Sequence, residues 1–258
     1  MITSTRNERV QAVRRLHRRS ARVAERRFVV EGPQAVREAL DQLVELYAVD
    51  LDDPLAVEAS RRGVEVVHVD EKVLNALAET VTPQGVLGVA PLLEGTLPER
   101  PRLVALLHAV TDPGNAGTVI RTADAAGADA VVLTAGSVDP HNGKCVRATA
   151  GSLWHLPVVT DADALATMAT LRDQGVRVLA TTGSAETDLD DLDLSGPTAW
   201  VFGAEAHGLP EEVLDAADLQ VRIPLHGRAE SLNLASAAAV CLYFSAKAHR
   251  RTSSREAP

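Results

Sequence analysis

Apolar positions in the first ninety residues switch between a helical period and a two-residue period over short intervals. This patterning predicts a helix over 8–26, a short strand over 28–30, a helix opened by Gly32-Pro33 and running to Leu40, and a strand over 43–49. A helix over 54–62, a strand over 64–69, a helix over 71–79 and a strand over 84–92 complete this half. The next residues, Leu-Glu-Gly-Thr-Leu-Pro-Glu-Arg-Pro, carry Pro and charge without periodicity, as linkers do. The expected organisation is a domain over 1–93, a linker over 94–101, a domain over 102–250 and a mobile tail over 251–258.

Beyond the linker the strands become unbroken apolar runs, expected of a parallel sheet covered on both faces. They fall at 103–110, 130–134, 156–159, 176–180, 199–202 and 219–223. Helical segments at 116–126, 144–152, 162–174 and 210–216 separate them, and a long helix over 233–249 closes the pattern. The fold class is therefore α/β, with a mostly parallel sheet in the second half.

Composition narrows the setting. With 46% hydrophobic and 24% charged residues the chain buries a core, which excludes wholesale disorder. No stretch reaches the roughly 18 apolar residues of a membrane span, and Met1-Ile2-Thr3-Ser4-Thr5-Arg6 lacks the apolar core of a signal peptide. Cys145 and Cys241 have neither zinc-ligand spacing nor a disulfide framework. A cytoplasmic, metal-free protein without a membrane partner is expected.

The net charge of −9 is unevenly spread. Residues 1–27 hold nine Arg against Glu8 and Glu25, a local balance of 9 − 2 = +7, so the remainder carries −9 − 7 = −16. Such a segment suits phosphate contacts made through counterion release, and it equally suits a solvated helical face.

Three segments place Gly, Asn or a charge where a strand ends and a helix begins, the side of an open α/β sheet on which ligands bind. The first, Asp112-Pro113-Gly114-Asn115-Ala116-Gly117-Thr118-Val119-Ile120-Arg121, forces a tight turn ahead of free helix amides. It contains no Gly-x-Gly-x-x-Gly fingerprint, which argues against a dehydrogenase, and alone it reads equally as a turn with a surface Arg. The second, Gly203-Ala204-Glu205-Ala206-His207-Gly208, sets an acid between two glycines, either to meet a ligand closely or to cap a helix. The third runs Ile223-Pro224-Leu225, then a polar loop, then Ser231-Leu232-Asn233 into a helix of small residues. Ser231 or Asn233 as a plain N-cap is the structural alternative there.

In this order, Asn-x5-Arg, Gly-x-Glu-x-x-Gly, and Ile-Pro-Leu followed by Ser-Leu-Asn resemble the three signature motifs of the SpoU/TrmH branch of the SPOUT RNA methyltransferases. The likeness runs from about Leu103 to the final helix, and Asp139-Pro-His-Asn-Gly-Lys-Cys-Val-Arg-Ala-Thr-Ala-Gly-Ser152 is similar to the stretch between the first two motifs. Arg27-Phe28-Val29-Val30-Glu31-Gly32 and Gln84-Gly85-Val86 resemble the ribosomal-protein-like substrate-binding domain found ahead of it in many members. Motif three departs from the usual pattern at Leu225, where Met is common, and at Leu234-Ala235-Ser236.

The resemblance implies a SPOUT domain with a deep trefoil knot behind a smaller α-β-α sandwich, and S-adenosylmethionine-dependent methylation of a ribose 2′-hydroxyl of RNA. It implies 23S ribosomal RNA as first substrate and transfer RNA as second, with a catalytically silent RNA-binding or assembly protein as the alternative. Gly203, Ile223, Pro224, Leu225 and Leu232, with Thr134, are the implied cofactor contacts. Arg121 is the implied catalytic residue, with Asn115, Glu205, Ser231 and Asn233 orienting it and the ribose. A guanidinium with a pKa above roughly 12 is a poor base, so phosphate gripping and alkoxide stabilisation is the competing reading of Arg121. RNA contacts are expected from Arg14, Arg15, Arg18, Arg19, Lys144 and Arg147, and the family's habit implies a homodimer.

Overall fold

A computed structural model describes residues 1–205 and 207–256. It divides into two compact units: Met1–Leu93 together with Asp139–Trp154, and Glu94–Val138 together with the chain from His155 onward. The segment 139–154, which the sequence pattern places in the second domain, thus packs within the first unit.

The first unit runs α1 (Glu8–Arg15), α2 (Arg19–Glu25), β1 (Arg27–Glu31), α3 (Pro33–Ala39), β2 (Glu45–Ala48), α4 (Pro54–Arg61), β3 (Glu65–His68), α5 (Glu71–Leu77) and β4 (Val86–Pro91). Its sheet has the order β1-β4-β2-β3, with β4 antiparallel to β1 and β2, and β2 parallel to β3. Val10, Val13 and Leu16 of the basic N-terminus pack against Tyr47, Leu74, Leu77 and Leu87.

The expected single helix over 8–26 is two helices. The chain leaves helical geometry at Arg18 (φ −93°, ψ 131°). The carbonyls of Leu16 and His17 that the break releases accept hydrogen bonds from Arg22 Nη1, both at 2.9 Å. Arg22 is itself buried, and its Nε and Nη2 donate to Asp139 Oδ2 at 2.9 and 2.7 Å. One arginine therefore both satisfies the kink and ties it to the returning segment. Arg9 is also spoken for, donating to Glu65 Oε1 at 2.6 Å and to Glu45 and Tyr47.

The second unit comprises β5 (Leu103–Leu107), α6 (Pro113–Ala126), β6 (Ala130–Thr134), β7 (Val158–Ala162), α8 (Ala164–Asp173), β8 (Arg177–Thr181), β9 (Thr187–Asp188), β10 (Thr198–Phe202), α9 (Glu211–Asp215), β11 (Leu219–Arg222) and α10 (Leu234–Glu256). The chain's excursion to the first unit carries one further helix, Gly143–Thr149. All seven strands are parallel, in the order β7-β6-β5-β10-β8-β11-β9. Every residue of β5, β6 and β10 is buried, which is why these strands read as unbroken apolar runs.

Trp200 Nε1 donates to Ser245 Oγ at 2.9 Å inside this core, fixing α10 against the central strand. The helix continues to Glu256, so the tail expected over 251–258 is helical as far as the described residues go, and 257–258 lie outside them. The two-residue β9 is too short to leave a periodic signal. Burial pushes the Cys241 thiol up, so it stays protonated as a small apolar group. Among the described residues no helix is long and apolar enough to cross a membrane.

Burial alone would raise the pKa of Asp139, but hydrogen bonds from His141 and Arg22 outweigh it and hold the carboxyl below the ordinary range. A carboxyl depressed on folding stabilises above its unfolded pKa of about 3.9 and loses that contribution as pH falls below it. Asp139→Asn should cost about 3–5 kcal/mol in denaturant unfolding at neutral pH, because Arg22 is left buried without its counter-charge. The loss should shrink as pH drops below about 4; a cost that stays constant across that range would remove the ion pair from its role.

Candidate active site

The strand order reverses at two places, and each opens a cavity at the carboxyl ends of the strands. The chain leaves β5 toward β6 and β7, returns to the other side of β5 with β8, and then inserts β10 between β5 and β8. The loops after β5 and β10 enclose a cavity of about 540 Å³ lined by His108, Asp112, Asn115, Glu205, His207 and Leu234, among others. Between β8 and β11 a second cavity of about 180 Å³ is lined by Thr181, Thr182, Gly183, Ile223, Leu225, Glu230, Ser231 and Leu232, among others.

The loop geometry of the first cavity follows from its residues. Asp112 caps α6 by accepting from the Asn115 backbone N–H at 2.8 Å, which places Asn115 on the first turn. After β10 the loop folds back on itself, with Gly208 N–H donating to Ala204 C=O at 2.8 Å. A Cβ on Gly203 would come within 2.3 Å of the Gly208 carbonyl carbon and oxygen, and Gly208 has φ +64°. The two motif glycines therefore serve different needs, one close backbone approach and one left-handed backbone. What they deliver is Glu205.

Asn233 joins the three motifs. Its Oδ1 accepts from the Ala235 N–H at 2.9 Å and so caps α10. Its Nδ2 donates to Glu205 Oε1 at 2.6 Å and to Asn115 Oδ1 at 3.3 Å. Glu205 Oε1 also accepts from the Leu234 N–H at 3.2 Å. One side chain thus caps the helix and bridges the other two motifs. Ser231 lies in the second cavity and does not cap.

The family profile described as SpoU rRNA Methylase family matches residues 102–243. The chain belongs to this family. Residues 7–88 match the MRM3-like substrate binding domain. The chain is 36% identical to the 23S rRNA (guanosine(2553)-2′-O)-methyltransferase RlmP of Bacillus subtilis, covering 94% of this chain and 97% of the relative. Among solved structures it is similar to the AdoMet-bound rRNA methyltransferase from Sinorhizobium meliloti, with 34% identity, TM-score 0.85, and 95% and 97% of the two chains covered. The SpoU methyltransferase AviRb from Streptomyces viridochromogenes, in complex with AdoMet, aligns with TM-score 0.86 at 28% identity, over 96% and 99% of the chains.

Of the positions expected of this SpoU family domain, Asn233 donates to both Asn115 and Glu205, and Ile223, Leu225, Leu232 and Ser231 share the second cavity. Leu225 and Leu232 are 40% and 39% exposed, unusual for leucines in a polar loop. The lining of neither cavity includes Arg121, Gly203, Pro224 or Thr134. Arg121 is exposed on α6 with no hydrogen-bond or ion-pair partner among the described residues. Thr134 is buried beneath the first cavity's rim, accepting from the Ala109 N–H at 3.1 Å, where Ala109 sits at φ +51°.

The sequence pattern reads His108 as a loop or core residue and does not single out Thr181-Thr182-Gly183, yet these line the two cavities. They lie at the ends of β5 and β8 in the parallel sheet, and that position was the available signal. In the first unit, Arg14, Arg15, Arg18 and Lys144 are exposed, whereas Arg147 Nη1 donates to the buried Glu31 Oε2 at 3.2 Å.

Replacement of Asn233 separates its two roles. Asn233→Ala should lower stability by about 1 kcal/mol through loss of the cap, while Asn233→Ser retains a capping oxygen and should not. Both remove the donor to Glu205, so amide exchange at Ala204, Glu205 and Gly208 should quicken in both. Unchanged exchange in Asn233→Ser would show that the loop does not depend on this bond.

Proposed function

We propose that the protein is an S-adenosylmethionine-dependent 2′-O-ribose methyltransferase acting on 23S ribosomal RNA. The hydrogen bonds from Asn233 to Asn115 and Glu205, which join three motifs distant in sequence at the rim of the first cavity, carry this reading. The second cavity fits the cofactor: two exposed leucines and Ile223 offer apolar walls, and Ser231, Thr182 and Glu230 offer polar partners, the mixture an adenosine moiety requires. Gly203 and Pro224, in the loops that the family threads as a trefoil knot, complete the binding segment, with Thr134 supporting it from below.

S-adenosylmethionine, when bound, supplies a methyl group already activated by its sulfonium. What remains for the protein is to align a ribose oxygen and to stabilise the charge that develops as its proton departs. Arg121, exposed and without an internal partner, is suited to hold the target's phosphate and face the forming alkoxide while staying protonated. Asn115, Glu205 and Asn233 orient the ribose. Because the 2′-hydroxyl is the target, DNA is not a substrate.

RNA capture is assigned to Arg14, Arg15, Arg18 and Arg19, with Lys144, on the first unit. The second unit is acidic, and a homodimer would bring two such basic surfaces to one RNA. Tyr243 and Phe244, consecutive on α10 and 52% and 43% exposed, support a partner surface of a second copy. The cytoplasm, where ribosomal RNA resides, is the proposed compartment.

Incubation with labelled S-adenosylmethionine and unmodified 23S ribosomal RNA should place label on a ribose, detected as one linkage resistant to alkaline cleavage. Label on a base, or on no RNA, would refute the assignment. Arg121→Ala should abolish transfer and leave cofactor affinity nearly intact by calorimetry; lost cofactor affinity would instead make Arg121 part of the binding pocket. Replacing Arg14, Arg15, Arg18 and Arg19 together should weaken RNA binding and flatten the slope of log K against log salt by up to about four phosphate contacts. An unchanged slope would return these arginines to plain solvated surface.

A further inference from the structure

The first unit contains a cavity of about 290 Å³ that no motif of the methyl-transfer site uses. It lies between the start of α3 and the loop joining α5 to β4, with Pro33, Thr80, Thr82, Pro83, Gln84 and Val86 among its walls. Its charged groups are consumed internally. Glu31 accepts from the Glu79 N–H at 2.7 Å, from the Thr80 N–H at 3.2 Å and from Arg147 Nη1 at 3.2 Å. Arg147 also lies 3.8 Å from Glu79. A buried carboxylate with three donors has little capacity for a cation, and a guanidinium between two carboxylates has little for a phosphate.

What the cavity offers a ligand is therefore uncharged. The side chains of Thr80, Thr82 and Gln84 have no hydrogen-bond partner among the described residues, and the two prolines and Val86 supply flat apolar contact. Positive charge stands on the turn bonded to the residue before cavity-lining Ala78. The turn between α1 and α2 is held to the end of α5 by a hydrogen bond of 2.7 Å between His17 Nε2 and Leu77 C=O, and Arg14, Arg15 and Arg18 around that turn are exposed. Val81, on the cavity's own loop, is fully exposed. A neutral pocket with donors, acceptors and apolar faces, with exposed arginines on the turn bonded to Leu77, matches an unpaired base joined to its phosphates.

We infer that this cavity receives one splayed-out base of the RNA substrate, read by Thr80, Thr82 and Gln84, while Arg14, Arg15 and Arg18 hold the adjoining phosphates. The inference rests on the RNA-methyltransferase assignment above. A volume at the lower edge of the roughly 300–1,000 Å³ typical of ligand sites suits one heterocycle and not a stacked pair. The base is distinct from the methylated nucleotide, whose ribose must reach the second unit.

The test uses the full-length protein and unmodified 23S ribosomal RNA transcribed in vitro, footprinted with reagents specific for base edges and, separately, with hydroxyl radicals for the backbone. Wild-type protein should shield one unpaired base outside the methylated nucleotide. The surface double variant Thr82→Ala/Gln84→Ala should lose that base protection, keep the backbone footprint, and bind about tenfold more weakly at an unchanged salt slope. An Arg18→Ala variant should show the reverse, a lower slope with the base still shielded. Unaltered base protection in the double variant would overturn the inference, and so would a lowered salt slope, which would mark the loop as a phosphate contact. If wild-type protein methylates the RNA but shields no second base, the cavity alone is refuted; if it neither binds nor methylates, the functional assignment falls with it.

Discussion

The second unit is organised around the side-chain amide of Asn233, which has one acceptor and two donors on a planar group and uses both kinds. Its oxygen terminates α10, and its nitrogen reaches Glu205 and an asparagine 118 residues earlier in the chain. No other feature meets all three loops. A serine in its place would cap the helix and reach neither acceptor, and a glutamate would repel Glu205. The remaining geometry supplies what that amide needs: Asp112 fixes the turn bearing Asn115, the Gly203–Gly208 contact turns Glu205 inward, and the bond from Trp200 to Ser245 pins the helix that carries the cap.

Charge in the first unit is divided by depth. Arg22 and Arg9, drawn from the same basic run, are spent on holding the N-terminal helices to the fold, one through a buried ion pair and one through a bidentate surface pair with Glu65. Only the arginines that point away from these contacts remain for a polyanion. A count of +7 for residues 1–27 therefore overstates what is available outside. The second unit carries its own basic run, Lys247, Arg250, Arg251 and Arg255, at the end of α10.

Much of this was legible in the sequence, for identifiable reasons. The unbroken apolar runs announced β5, β6 and β10 because those strands are buried on both faces, and β6 falls at the expected residues 130–134. The three loops were visible because Gly, Pro and Asn mark the strand-to-helix turns of a parallel sheet. What escaped was non-local. Nothing in residues 8–26 signals that Arg22 folds back onto Leu16 and His17, since the helix break depends on Asp139, distant in sequence. Likewise Arg147 carries the same charge as Arg14, and only the position of Glu31 separates a structural residue from an exposed one. That Asn233 caps and bridges together is invisible to a pattern that reads each motif alone.

The pairing of β5 with β10 sets an order on synthesis. Leu103 registers with Thr198, 198 − 103 = 95 residues later, so the centre of the sheet stays open on a ribosome until those residues have been made. The first unit is also delayed, because Arg22 waits 117 residues for Asp139. A nascent chain of one hundred residues would thus expose an unpaired buried-type arginine and an unsealed wall. The first unit has its last segment once Trp154 is made, whereas the second still waits for β10, β11 and α10.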